Sequence, residues 1–148
     1  MIEFIRNDST SINLRLDEEG NIILLNTFNK ISNINLPTEI EVLMDMSVVE
    51  MKKRKVVDSI IVVERDNKIN GSVLLLDDNK IVWKLDDEYI DMGIEQLSES
   101  LEKGYFSPSE FLIIKIEKNK KSDYIYAERI WVASSKVISE NITILLSM

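Results

Sequence analysis

The sequence contains no cysteine and no histidine. Without a thiol there is no disulfide, no thiolate metal site and no cysteine nucleophile. Without an imidazole the commonest general base and metal ligand is missing, so no Ser-His or Cys-His machinery exists. Glycine is scarce: Gly20, Gly71, Gly93 and Gly104 are too scattered for a phosphate-cradling loop or a dinucleotide fingerprint. Long apolar runs are also absent. Ile22-Ile23-Leu24-Leu25 is strand-sized, far below the ~20 residues that span a bilayer. Met1 to Arg6 is mixed in charge and lacks the basic-then-apolar pattern of a secretory signal. A cytoplasmic location and no membrane partner are therefore expected.

What remains is the balance of a globular protein: 148 residues, 45% hydrophobic and 30% charged. One domain over 1–148 is expected, burying roughly 70% of the surface its unfolded chain exposes without a metal or disulfide. No linker, internal repeat or low-complexity block stands out. Alanine is nearly absent while Ile, Val and Leu abound, which favours strands. Ile12 to Leu16 alternates with period two, Asp17 to Asn21 reads as a turn, and Ile22 to Phe28 reads as the returning strand of a hairpin. A looser Asn-rich stretch, 29–35, leads to Pro37.

The alternation of Ile40, Val42, Met44 and Met46 predicts a strand, and the capping box Ser47-Val48-Val49-Glu50 a short helix through 47–55. Ile60 to Arg65, Gly71 to Leu76 and Lys80 to Leu85 read as a three-stranded meander with turn-forming Asp, Asn and Gly between them. Asp86 to Lys103 is the clearest helix: Ile90, Ile94, Leu97 and Leu101 form one apolar stripe, with Gly104 where a left-handed cap belongs. Phe111 to Lys118 and Tyr124 to Ala133 read as a long hairpin, and Asn141 to Leu146 as a last strand. The expected fold class is α+β. A mostly antiparallel sheet of meander and hairpins packs on one main amphipathic helix around 87–103, with a second, short helix around 47–55.

The 26 Asp and Glu against 18 Lys and Arg give a formal net charge of −8. That charge is local. Residues 77–102 hold nine acids and two bases, a net of −7, whereas the rest of the chain is almost neutral. At ~100° per residue Glu88, Asp91, Glu95, Glu99 and Glu102 span an arc of about 80° opposite the apolar stripe. Like charges at i,i+3 and i,i+4 each cost a few tenths of a kcal/mol, and Glu99 and Glu102 also oppose the helix macrodipole. Charge runs are usually no more than solvated faces. A focused negative potential on one face is also how a protein attracts and selects a basic partner.

Other signals are weaker. Asp87-Glu88-x-x-Asp91 resembles a Mg²⁺-binding carboxylate cluster, but no cation flanks it to hold a phosphate. Asp66-x-Lys68-x-Asn70-Gly71 is a partial calcium loop with a lysine in a ligand position, so a hairpin turn is the better reading. Lys52-Lys53-Arg54-Lys55 fits a helix C-terminus. Met44, Met46 and Met51 read as core filling, as do Trp83 and Trp131, whereas Tyr105-Phe106 can rim the acidic face with aromatic contacts.

The residues thus point to a non-enzymatic binding protein with no cofactor and no metal, a monomer or weak dimer. Its partner is a basic protein rather than nucleic acid, met by Asp87, Glu88, Asp91, Glu95, Glu99, Glu102 and Tyr105. In type it resembles the small, acidic immunity proteins that neutralise bacterial toxin or nuclease domains. Two alternatives use the same acids: a nucleic-acid mimic that blocks a DNA-binding protein, and a Mg²⁺-dependent enzyme working with carboxylates alone.

Overall fold

A computed structural model describes residues 1–8, 11–46, 56–76, 80–107, 109–116 and 122–130. The elements, in chain order, are β1 (Ile2–Arg6), β2 (Ser11–Leu16), α1 (Glu18–Asn33), β3 (Thr38–Asp45), β4 (Val57–Arg65), β5 (Ser72–Leu76), β6 (Ile81–Leu85), α2 (Asp87–Lys103), β7 (Glu110–Ile116) and β8 (Ser122–Arg129). The strands close into a barrel in the order β1-β2-β8-β7-β5-β6-β4-β3, with β3 returning to β1.

The α+β class holds, but the sheet is mixed rather than mostly antiparallel. Antiparallel ladders (β1–β2, β3–β4, β5–β6, β7–β8) alternate around the barrel with parallel ones (β1–β3, β2–β8, β4–β6, β5–β7). The expected meander is one hairpin only. β5 and β6 do pair antiparallel, but β4 lies parallel to β6, so the turn at 66–70 joins strands that are not neighbours. In that turn the Asp66 carboxylate accepts from the Lys68 amide at 2.9 Å, a local bond that bends the chain.

A second correction concerns Asp17 to Asn33. The segment read as a turn and a returning strand is helix α1. Asp17 is its N-cap, accepting from the Gly20 amide at 2.7 Å, and Glu18 and Glu19 occupy the first turn, where the macrodipole favours acids. In helical register Leu24, Phe28 and Ile31 are buried together, while Ile22 and Ile23 remain 42% and 40% exposed. The apolar run that suggested a strand is therefore split between two faces. The short helix expected over 47–55, the last strand over 141–146, the basic run 52–55, Met51 and Trp131 lie outside the described residues.

The third correction is the repeat. Both β1-β2-α1-β3-β4 and β5-β6-α2-β7-β8 are ββαββ units, and exchanging them reproduces the barrel order shifted by half a turn. The equivalence reaches individual atoms. Asp17 caps α1, its carboxylate also accepting from the Met1 nitrogen at 2.6 Å, while its amide donates to the Met1 carbonyl at 3.3 Å. Asp86 caps α2, accepts from the Gly71 amide at 2.7 Å and donates to the Gly71 carbonyl at 2.9 Å. Where the units join, Arg15 of β2 faces Glu128 of β8 and Lys84 of β6 faces Glu64 of β4, in matching register. Two short stretches carry the likeness in sequence: Leu14-Arg15-Leu16-Asp17-Glu18-Glu19 with Trp83-Lys84-Leu85-Asp86-Asp87-Glu88, and Glu64-Arg65 with Glu128-Arg129.

Inward-facing strand residues and the two helices share one core. Ile12, Leu14 and Leu16 alternate with outward Asn13 and Arg15, as Ile40, Val42 and Met44 alternate with exposed Glu39 and Glu41. Trp83 lies at the centre, with edge-to-face contacts to Phe4 and Phe28 and an indole N–H donating to the Ser72 hydroxyl at 2.7 Å. The helices meet closely because Gly93 of α2 leaves room for the Phe28 ring of α1. Beside that contact Asn21, wholly buried on α1, accepts from the Ser100 hydroxyl of α2 at 3.0 Å and from Arg129 of β8 at 2.7 Å, and donates to the Leu97 carbonyl at 3.2 Å. Those bonds offset the cost of burying the amide.

Candidate interaction surface

Helix α2 begins where the Asp86 carboxylate accepts from the Tyr89 amide at 2.9 Å. It ends at Gly104, whose φ of 84° is the left-handed cap geometry and whose amide donates to the Ser100 carbonyl at 2.8 Å. Ile90 and Leu97 of the expected stripe are fully buried, Ile94 and Leu101 half-buried, and Gly93 and Ser100 complete the packed face. That orientation turns the opposite arc outward.

The predicted acids divide into two kinds. Glu88, Asp91, Glu95 and Glu102 are exposed, and among the described residues none has an ion-pair partner. Glu99 is half-buried. Asp87 is exposed as well but has partners in its own chain: Arg65 approaches it at 3.4 Å, Asn67 donates to its carboxylate at 3.0 Å, and its amide donates back to Asn67 at 2.9 Å. Asp87 thus ties α2 to the turn after β4.

The acids mark their surroundings electrostatically. Burial first, then the negative charges of Asp86 and Glu88, raise the Tyr89 phenol above its ordinary range. On the far side of the turn Asp66 is held below the usual carboxylate range by the Lys68 amide and by Lys84, 3.4 Å away. Among the described residues no three acidic groups converge as a metal site requires.

Helix α1 provides an internal comparison. It has the equivalent position, the same aspartate N-cap and a comparable length. Its acids are confined to the first turn, and its remaining exposed positions are Ile22, Ile23, Asn26, Lys30 and Asn33. A helix in this place can therefore be built without a carboxylate ridge. The fold does not demand the acidity of α2.

Tyr105 follows the left-handed cap and is 55% exposed. The structure brings it to residues that sequence reasoning missed. With Phe106, Ser109, Asn13, Tyr126 and Glu128 it lines a concavity of about 490 Å³. The overlooked signal was the outward parity of Tyr124, Tyr126 and Glu128 on β8, opposite buried Ile125 and Ala127. A larger open groove of about 820 Å³ runs along the start of β4, where Glu41, Asp58, Lys80 and the exposed Ile60 meet. Sequence reasoning missed it too, because Ile60 was assigned to a strand without a face.

No helix among the described residues is long and apolar enough to cross a membrane. Comparison with protein-family models, curated proteins and solved structures finds no match.

Proposed function

We propose that the chain is a non-enzymatic binding protein of the immunity or inhibitor type, which docks a basic toxin or nuclease domain on the exposed face of α2. The observation that carries this reading is the contrast between the two helices. Equivalent in place and in N-cap, they differ in that only α2 keeps unneutralised acids along its length, against both mutual repulsion and the macrodipole. Charge of that kind raises encounter rates with a basic surface and rejects acidic ones. The loss of histidine and cysteine chemistry and the aromatic concavity beside the helix fit the same reading.

The test is charge reversal at Glu88, Asp91, Glu95 and Glu102, the four exposed members with no ion-pair partner among the described residues, made together to Lys. The partner is sought in the neighbouring open reading frame, whose C-terminal domain is expressed with and without this chain. Wild type is expected to restore growth and bind in a salt-dependent manner, since exposed charges are screened over about 8 Å at physiological ionic strength. The reversed protein, still folded by circular dichroism, should lose both properties. Retained protection and unchanged affinity would reduce the ridge to a solvated face.

A further inference from the structure

Charges on an exposed rim set the rate and selectivity of encounter, whereas lasting affinity comes from a few side chains held in a concave, aromatic site. The concavity next to Tyr105 has that form. We infer that it receives an arginine side chain of the same basic partner, an inference that rests on the proposed function of α2.

Three features give the site its chemistry. Its wall is fixed: the cap at Gly104 sets the direction of the chain, and half-buried Phe106 packs edge-to-face on buried Phe111 with ring centres 6.0 Å apart. Its faces are aromatic and open: Tyr105 and Tyr126 expose 55% and 38% of their surface, and the ring of Tyr124 stands 6.5 Å from that of Tyr126. Its acid is Glu128, which is exposed and has Arg15 no nearer than 3.6 Å.

Among the described lining residues the cation is Arg129, which is turned inward, with its guanidinium nitrogen 2.7 Å from the buried oxygen of Asn21. An anion entering the groove meets the Glu128 carboxylate and a guanidinium already held by Asn21. A cation meets aromatic faces and the exposed Glu128 carboxylate, whose contact with Arg15 is long. Arginine suits this better than lysine, because its planar guanidinium stacks on a tyrosine ring while its edge donates to a carboxylate.

The test uses fluorescently labelled octa-arginine and octa-lysine peptides, titrated at low salt into the whole protein. Wild type is expected to prefer octa-arginine by about threefold to thirtyfold. Tyr105→Ala and Tyr126→Ala should each reduce that preference, and Tyr105→Phe, which keeps the ring, should restore it. Tyr105 and Tyr126 face solvent, so the variants should fold, as an amide NMR spectrum will show. Equal affinity for both peptides, unaltered in the alanine variants while the α2 reversal still weakens both, overturns the arginine site and leaves the proposed function standing. An arginine preference that survives the α2 reversal undiminished, with overall affinity unchanged, supports the site and overturns the role given to α2.

Discussion

At the scale of single residues, the contact between Gly93 and Phe28 decides how closely the helices approach. A Cβ at Gly93 would overlap the Phe28 ring, which is fully buried in the core. Gly93→Ala should therefore destabilise the protein by about 1–3 kcal/mol despite its better helix propensity, read as a lower midpoint in urea unfolding. Shrinking the ring as well, with Phe28→Leu, should recover part of that loss. If Gly93→Ala instead stabilises the protein by the amount propensity alone gives, the helices are not in close contact. The buried amide of Asn21 belongs to the same seam. Its partners come from α2 and β8, so it ties the first unit to the second through hydrogen bonds as well as packing.

At the scale of elements, legibility depended on whether period and caps agreed. Helix α2 was readable because its stripe, its N-terminal acids and its glycine cap point to the same boundaries. Helix α1 has an equally good N-cap in Asp17 but ends at Ile34 without glycine, and its apolar run is continuous and opens on two β-branched residues, Ile22 and Ile23. Strand propensity then outweighed a signal that a comparison of Asp17-Glu18-Glu19 with Asp86-Asp87-Glu88 would have recovered. For the candidate site, the acids and Tyr105 were legible as local features of one helix and its cap. Tyr126, Ser109, Asn13 and Glu128 were not, because only strand pairing between β2, β7 and β8 brings them to Tyr105. The matched caps carry a prediction. Asp17→Ala and Asp86→Ala should each cost about 1–2 kcal/mol, by similar amounts, because each carboxylate holds a helix amide and the first residue of its own unit. Chemical denaturation of the two variants checks this, and a large effect at one cap with none at the other would show the units to be unequal.

At the scale of the whole molecule, neither ββαββ unit closes on itself. β2 finds its outer neighbour in β8, and β4 finds its own in β6. Unfolding either unit strips hydrogen-bond partners from two strands of the other, so the barrel should unfold in one transition. Fluorescence of the tryptophans and far-ultraviolet circular dichroism should report the same midpoint, and native-state hydrogen exchange should give β2 and β6 equal protection. Separate midpoints would mean that the units part before they melt. The pairing order was beyond the sequence for a physical reason: each strand's apolar face specifies which side turns inward, but not which neighbour it takes, and none of the parallel contacts joins strands consecutive in the chain, the most distant lying between β2 and β8, as in Leu14 beside Ala127.

Closure has one further consequence. Among the described residues each strand has a neighbour on both sides, so the barrel offers no whole strand edge of free backbone amides and carbonyls. The described barrel therefore gives a partner no full edge on which to add a strand, the mode in which main-chain hydrogen bonds supply affinity with little regard to sequence. Recognition has to pass through side chains that can be exchanged one at a time. A binding face of that kind can change its specificity by substitution on α2 and around Tyr105 while the barrel beneath it is left intact.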